Sequence, residues 1–285
     1  MPALRPFIFL LLVLVGMGAG VGAEPRAVRV VSQTVGTDEL LLALAQPGQV
    51  VALSHLARVP EFSSVAAAAA AYPQIDATAD AEGILKYLPT HVLFANYSRA
   101  ELVEHVRRSG VEALVFDRYA SLEDALANLR RLAEVLGAQG RAESIVADCQ
   151  ARVAVLRERL RGVRAVKVIA PSTYSVIPGW ETTFQDLCDY AGGENLAATL
   201  VGLRGHQLPP YEQMLTWPVD RVVLAGESLE VQLAIYRQLP PYKHMAAVRE
   251  GRAVLIEPWQ LSCVSHHRVD AYERLARELH PELFP

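Results

Sequence analysis

The segment WQLSCVSHHRVDAY, residues 259–272, concentrates side chains that could bind a metal or perform catalysis. Neutral imidazole binds transition metals, and a histidine beside a thiol or hydroxyl can act as its base. Successive residues of a helix point about 100° apart, so at most one of His266 and His267 could face a given metal. Ser265 is a favourable N-cap residue, which predicts that both histidines open a helix and are exposed.

A hydrolase with Cys263 or a serine as nucleophile lacks a supporting motif. The sequence contains no GxSxG elbow and no cysteine-protease signature. Catalytic triads assemble from distant segments, so the closeness of Cys263 to His266 in sequence is not evidence for one. A bare zinc or manganese site would need three or four converging ligands, and no histidine-rich loop occurs. These two functions remain as alternatives. The histidines considered are His55, His91, His206, His266 and His267.

The chain contains three cysteines, Cys149, Cys188 and Cys263, at spacings that match no zinc motif. Because the number is odd, at least one thiol is unpaired. Cys149 lies on the apolar stripe of a predicted helix and is interpreted as a small core residue. A Cys188–Cys263 disulfide is compatible with the sequence, which contains nothing that supports it.

The composition is that of a globular protein with ample core. Of 285 residues, 52% are hydrophobic and 20% charged, which fits one large domain or two smaller ones. The net charge is -4 and no basic block is present, so nucleic acid is not an expected partner.

Residues 1–23 have the pattern of a secretory signal peptide. Arg5 precedes the apolar run FIFLLLVLV, and small residues lead to VGA at 21–23. The apolar run is shorter than the roughly 20 residues that span a bilayer. No cysteine lies near the predicted cleavage point, so no lipid anchor is expected. The alternative is a buried N-terminal strand or helix, but the pattern favours a soluble exported protein.

The rest of the chain alternates apolar strands with helical segments, which predicts an α/β fold with parallel sheets. The pattern restarts after one long helix, predicted at Arg141–Arg161, whose apolar residues recur at steps of three and four. The helix spans roughly 30 Å and contains no Gly or Pro, so we expect a rigid connector. The predicted organisation is two Rossmann-like lobes, residues 24–138 and 163–285, joined by a connecting helix, residues 139–162. The predicted strands are Val28–Val31, Val50–Leu53, His91–Ala95, Ala113–Phe116, Val166–Ala170, Arg221–Ala225 and Ala253–Ile256. The other predicted helices are Asp38–Ala45, Phe62–Ala71, Arg99–Arg108, Leu122–Leu136, Thr182–Ala191, Leu229–Gln238 and Val269–Leu279.

A weak internal repeat relates the two halves. AEGILKYLPTHVLFA, residues 81–95, and YEQMLTWPVDRVVLA, residues 211–225, each place a glutamate just ahead of a predicted short helix, followed by a proline and a strand. Glu82 and Glu212 therefore occupy matching positions, one in each half.

In parallel α/β sheets, ligands bind beyond the carboxyl ends of the strands, and two lobes would face each other there across a cleft. Several of these predicted loops carry an aromatic side chain, which suits a large flat ligand such as a tetrapyrrole or aromatic chelate. Arg204 and His206 lie in a stretch predicted to be irregular that could fold over the cleft, where Arg204 could pair with a carboxylate or phosphate. The predicted ligand contacts are Thr34, His55, Tyr97, Tyr174, Trp180, Arg204, Trp259, His266 and His267.

Taken in order, several segments resemble the periplasmic substrate-binding proteins of ABC transporters for cobalamin and iron chelates. They are RVVSQTVGTDELLLALAQPGQVVALSHLA, DAEGILKYLPTHVLFANYS, SLEDALANLRRLAEVLG, TTFQDLCDYAGGENLA and PWQLSCVSHHRVDAYERLARELHPELF. Together they cover nearly all of residues 27–284. AGGENLA at 191–197 and YEQML at 211–215 resemble the cobalamin-binding members most.

The resemblance implies a monomeric, periplasmic, non-enzymatic protein with no cofactor of its own. It would capture a corrinoid in the cleft, or else haem or a ferric siderophore, and deliver it to an inner-membrane permease dimer and its ATPase. The metal would then arrive inside the ligand, where His266 or His267 could reach it. Glu82 and Glu212 would dock on arginines of the permease. The rigid connector implies only small hinge motion.

Overall fold

Ten strands and thirteen α-helices alternate along residues 27–284, the part of the chain that the computed structural model describes. The predicted signal peptide lies outside these residues. The strands are β1 (Val30–Ser32), β2 (Val50–Ala52), β3 (His91–Ala95), β4 (Glu112–Phe116), β5 (Val166–Ile169), β6 (Ile177–Pro178), β7 (Gly193–Asn195), β8 (His206–Gln207), β9 (Arg221–Ala225) and β10 (Ala253–Ile256). The helices are α1 (Val35–Leu44), α2 (Ala66–Ala69), α3 (Ala81–Leu85), α4 (Ala100–Arg108), α5 (Leu122–Leu136), α6 (Gln139–Arg159), α7 (Thr183–Ala191), α8 (Leu196–Thr199), α9 (Tyr211–Met214), α10 (Leu229–Tyr236), α11 (Ala246–Arg249), α12 (Pro258–Ser262) and α13 (Arg268–Leu279).

Two four-stranded parallel sheets form the two lobes, which confirms the predicted fold class. The N-terminal sheet has the order β2-β1-β3-β4, and the C-terminal sheet has the order β10-β9-β5-β7. A small antiparallel pair, β6 with β8, accompanies the second lobe. The strands β6, β7 and β8 were not predicted from the sequence. These strands are two or three residues long and contain Pro, Gly, Asn and His, so they lack a strand-like apolar pattern.

The connecting helix α6 packs into a core that both lobes share. Its buried residues Val146, Val153 and Leu156 belong to the same apolar cluster as Val30 of the first sheet and Val168 of the second. Each lobe adds a smaller cluster of its own. The lobes are therefore joined by continuous packing as well as by one helix.

Helix boundaries follow the cap residues. Thr34 and Ser121 each form a capping box with the residue three positions later, at the starts of α1 and α5. Gly137 ends α5 with a φ of 68°, a conformation that glycine adopts without strain, and α6 begins two residues later. This turn sets the angle between α5 and the connector.

Three local predictions were wrong. The helix predicted at Phe62–Ala71 shortens to α2, because residues 54–65 fold as successive turns. Ser265 is not the N-cap of the last helix. It is fully buried and its Oγ accepts a hydrogen bond from the His267 backbone N–H at 3.2 Å, while α13 begins at Arg268. His266 and His267 consequently precede the helix and are partly buried instead of exposed.

Across residues 27–284, no helix has the length and apolarity needed to cross a bilayer.

Candidate ligand-binding site

Two tyrosines stand at the carboxyl edge of the N-terminal sheet. Tyr97, just after β3, is 66% exposed, and its ring meets the edge of the Tyr119 ring at a centroid distance of 6.0 Å. The Tyr119 hydroxyl donates to Asn96 Oδ1 at 2.6 Å. Partial burial raises the pKa of both phenols, so both are neutral at physiological pH. Tyr119 is not among the predicted ligand contacts, although it follows β4 and lies at a strand end as Tyr97 does.

Thr34 and His55 occupy the neighbouring loops in different ways. Thr34 is buried, and its hydroxyl is engaged with Thr37 in the α1 capping box. His55 is exposed, and it follows Ser54, whose N–H and hydroxyl donate to the Asp38 carboxylate at 3.0 and 2.5 Å. Burial raises the pKa of Asp38 to about 7, although these hydrogen bonds act to lower it. The start of the loop after β2 is therefore fixed by hydrogen bonds to a buried side chain.

Two aromatics project from the C-terminal lobe. Tyr174, in the loop after β5, is 86% exposed, and Trp180 is 38% exposed. The Trp180 backbone pairs with the 203–205 segment through Trp180 N–H to Leu203 O at 2.7 Å and Gly205 N–H to Trp180 O at 2.8 Å.

The stretch around Arg204 and His206 is more ordered than the sequence predicted. His206 lies in β8, whose pairing with β6 forms a ribbon, and Arg204 is bridged to Trp180. The Arg204 guanidinium is paired with the exposed Glu181 carboxylate. Arg204 is therefore placed beside Trp180 with its charge already matched.

Trp259 lies on the short helix α12 directly after β10 and not in a loop. Its indole N–H donates to Glu257 Oε2 at 2.6 Å, and Gln260 Oε1 accepts the Glu257 N–H at 2.9 Å. Pro258 occupies the first turn. The hydrogen bond to Glu257 holds the partly buried indole in one orientation at the strand end.

The lobes face each other along one edge of the cleft. Pro60 and Glu61, from the loop after β2, line a pocket with Glu227 and Glu257, which follow β9 and β10. All three glutamates are exposed. Arg274 also lines this pocket, but its guanidinium is paired with Glu278 at 3.0 Å. This edge is consequently acidic.

His266 and His267 line a different surface, a groove along the connecting helix that also includes Asp148, Cys149 and Arg152. None of the predicted aromatic ligand contacts lines this groove. His267 Nδ1 lies 3.3 Å from Asp270 Oδ2. Burial lowers the pKa of His266 to about 3, so its imidazole is neutral.

The described residues contain no group of three or more His, Cys, Asp or Glu side chains placed to hold a metal ion. The three cysteines are free and buried, so Cys188 and Cys263 are not bridged.

A buried polar network ties the two lobes together. Arg268 is 2% exposed, and its Nη2 donates to the carbonyls of Cys263 and Tyr119 at 2.9 and 3.1 Å. Its Nη1 lies 3.1 Å from the Asp186 carboxylate, which also accepts the Tyr272 hydroxyl. Because Tyr119 belongs to the first lobe, this network positions one lobe against the other.

Glu82 and Glu212 are both exposed, and each lies in the first turn of a short helix, α3 and α9. The correspondence that the internal repeat predicts is thus present in local structure.

Two lobes joined by one helix, with exposed aromatics at the strand ends, define a small-molecule-binding protein. The sequence matches the family described as Periplasmic binding protein over residues 30–258, and the chain belongs to that family. Its members bind substrates for transport, which confirms that this chain is not an enzyme.

Solved structures with the same fold include three from different bacteria. The periplasmic haem-binding protein RhuT from Roseiflexus sp. RS-1, in apo form, is 22% identical, with a TM-score of 0.76 over 90% of this chain and 99% of that one. The periplasmic haem-binding protein HutB of Vibrio cholerae is 21% identical, with a TM-score of 0.74 over 90% and 99%. Helicobacter pylori CeuE with Ni(II) bound is 17% identical, with a TM-score of 0.71 over 90% and 85%. No curated protein matches the sequence.

Proposed function

We propose that this protein captures a metal-bearing tetrapyrrole, foremost a corrinoid, in the cleft between its lobes and delivers it to an inner-membrane ABC permease. The observation that carries the proposal is the set of exposed aromatics at the strand ends, on both lobes. Tyr97 and Tyr174 are 66% and 86% exposed, and Trp180 is 38% exposed. A flat macrocycle between such rings would bury apolar surface on both of its faces.

The charges at the cleft favour a corrinoid over haem. Haem carries two carboxylates, which an arginine with free donors would bind. Here the guanidiniums of Arg204 and Arg274 are paired with glutamates. The acidic edge formed by Glu61, Glu227 and Glu257 would repel carboxylates and accept hydrogen bonds from the peripheral amides of a corrinoid.

Haem is the second candidate, because RhuT and HutB, which share the fold, are haem-binding proteins. A ferric siderophore would use the same cleft. In each case the metal belongs to the ligand, and the protein has no cofactor of its own. Neither His266 nor His267 is assigned to that metal, because both line the groove along α6.

The test is a titration of the purified protein with cyanocobalamin, haemin and a ferric siderophore, followed by absorbance and tryptophan fluorescence. We expect saturable binding of cyanocobalamin, weakened at least tenfold by Tyr174→Ala. The control is Val155→Ala, which alters another exposed apolar side chain, on the connecting helix and away from the strand-end loops, 61% exposed. If only haemin binds saturably, haem and not a corrinoid is the ligand. If none of the probes binds, the proposal is refuted.

Docking on the permease is assigned to Glu82 and Glu212, one exposed carboxylate on each lobe. Charges at a rim set orientation and association rate more than affinity. Reversing both to lysine should abolish uptake and leave ligand affinity unchanged. The matched control reverses Glu101 and Glu230, which are also exposed and in first helical turns, one per lobe. Normal uptake by the Glu82/Glu212 variant would refute this assignment.

Export is assigned to residues 1–23, so that the mature monomer begins at Glu24 in the periplasm. Mass spectrometry of the protein recovered from the periplasm tests the cleavage point, and a retained N-terminus would contradict it.

A further inference from the structure

The loop after β2, residues 54–65, is held at both ends by buried carboxylates of α1. Ser54 is bound by Asp38 at its start, as described above. At its end, the Ser64 N–H and hydroxyl donate to Glu39 Oε1 at 3.1 and 2.7 Å, and Glu39 is only 2% exposed. Between these anchors the backbone closes successive turns, including Phe62 N–H to Val59 O at 3.0 Å. The loop therefore presents its tip in a defined conformation.

Phe62, at this tip, is 52% exposed. The two preceding residues, Pro60 and Glu61, line the edge pocket together with Glu257 and Pro258 of the other lobe. Trp259 follows Pro258 directly. Phe62 and Trp259 therefore belong to segments that meet across the same edge of the cleft, one from each lobe.

We infer that Phe62 is a further ligand-contacting residue, the N-terminal wall opposite Trp259 at this edge. This inference rests on the proposed function. A ring held on an anchored loop loses little conformational freedom when a ligand covers it, so contact with a flat ligand yields net affinity. Trp259 is held equally well by its hydrogen bond to Glu257. The two rings together would fix how far the macrocycle enters between the lobes.

The experiment compares wild type, Phe62→Ala, Phe62→Trp and Val155→Ala, using whichever of cyanocobalamin and haemin the wild type binds. We expect the dissociation constant to rise about tenfold in Phe62→Ala and to stay within about twofold in Phe62→Trp and Val155→Ala. Because the ring is exposed, the melting temperature of free Phe62→Ala should match that of the wild type.

An unchanged dissociation constant in Phe62→Ala, with the wild type binding normally, would overturn the inference and leave the proposed function intact. Normal binding with lost uptake would also overturn it, since the ring would then contact the permease. A wild type that binds neither probe would instead refute the proposed function.

Discussion

Removal of the Arg268 guanidinium tests the buried network between the lobes. Arg268→Met keeps an unbranched side chain about as long as the arginine stem up to Nε, but leaves the Asp186 carboxylate, 11% exposed, without its positive partner. It also removes the donor that links the Tyr119 and Cys263 carbonyls. The Asp186 carboxylate then keeps the hydrogen bond from the Tyr272 hydroxyl but has no positive charge beside it.

Loss of one partner of a buried ion pair costs about 3–5 kcal/mol of unfolding free energy. The geometry places this pair near the lower end. Arg268 Nη1 lies 3.1 Å from Asp186 without hydrogen-bond alignment, and Nε has no partner among the residues of the described chain. We therefore expect Arg268→Met to lose about 3 kcal/mol.

Urea unfolding at pH 7 measures this loss. The control is Arg107→Met, which removes an ion pair to Glu104 whose side chains are 49% and 58% exposed and should cost at most about 1 kcal/mol. Burial already raises the pKa of Asp186, with Arg268 opposing it. Without Arg268 the carboxyl can become neutral by protonation, so the deficit of the variant should shrink as the pH falls. Equal losses in the two variants would refute the reasoning.

Three further predictions concern the interior. Asp38 has a folded-state pKa of about 7, whereas unfolded aspartate titrates at about 3.9. Wild-type stability relative to Asp38→Asn should therefore fall as the pH rises from about 4 to 7, by up to about 1.4 kcal/mol per pH unit; parallel urea midpoints of the two proteins across this range would contradict it. A Cβ at Gly36 would clash with Val264 Cγ2, across the contact between the lobes. Gly36→Ala should cost about 1–3 kcal/mol in thermal unfolding, and Val264→Ala should recover part of it, so that no recovery would argue against this clash. The three thiols, all buried and with raised pKa values, should be unreactive towards a thiol reagent in the native protein and all react in denaturant. Fewer than three reactive thiols in denaturant would indicate a disulfide.

Prediction succeeded where local pattern and long-range packing agree. β3, β9, β10 and α5 have the predicted boundaries, because each is a continuous apolar run or an amphipathic run with clear caps. The connecting helix begins and ends two residues earlier than predicted, because Gly137 ends α5 and α6 begins directly after the turn. Cap geometry decides where a helix ends, and the periodicity of apolar residues predicts these ends only approximately.

Prediction failed where a neighbouring segment decided the outcome. Residues 62–65 have no strong preference against helix, but Ser64 is bound to Glu39 on α1, and the loop follows that anchor. β7 exists because β5 supplies a parallel partner for Gly193–Asn195.

The sequence by itself determined the α/β class, the two lobes, the connecting helix, the family and the loops at the strand ends. The family rests on the resemblance of the quoted segments, and the other features follow from the order of apolar and helical segments, which is local information. Tertiary structure alone decided that Ser265 is buried, that His266 and His267 face the connecting helix, and that Arg204 is paired beside Trp180. It also brought Pro60 and Glu61 to the edge that Glu257 and Pro258 form on the other lobe. The direction of a side chain depends on which distant segment packs against it. A single sequence does not show that residues nearly 200 positions apart, such as Glu61 and Glu257, line the same pocket.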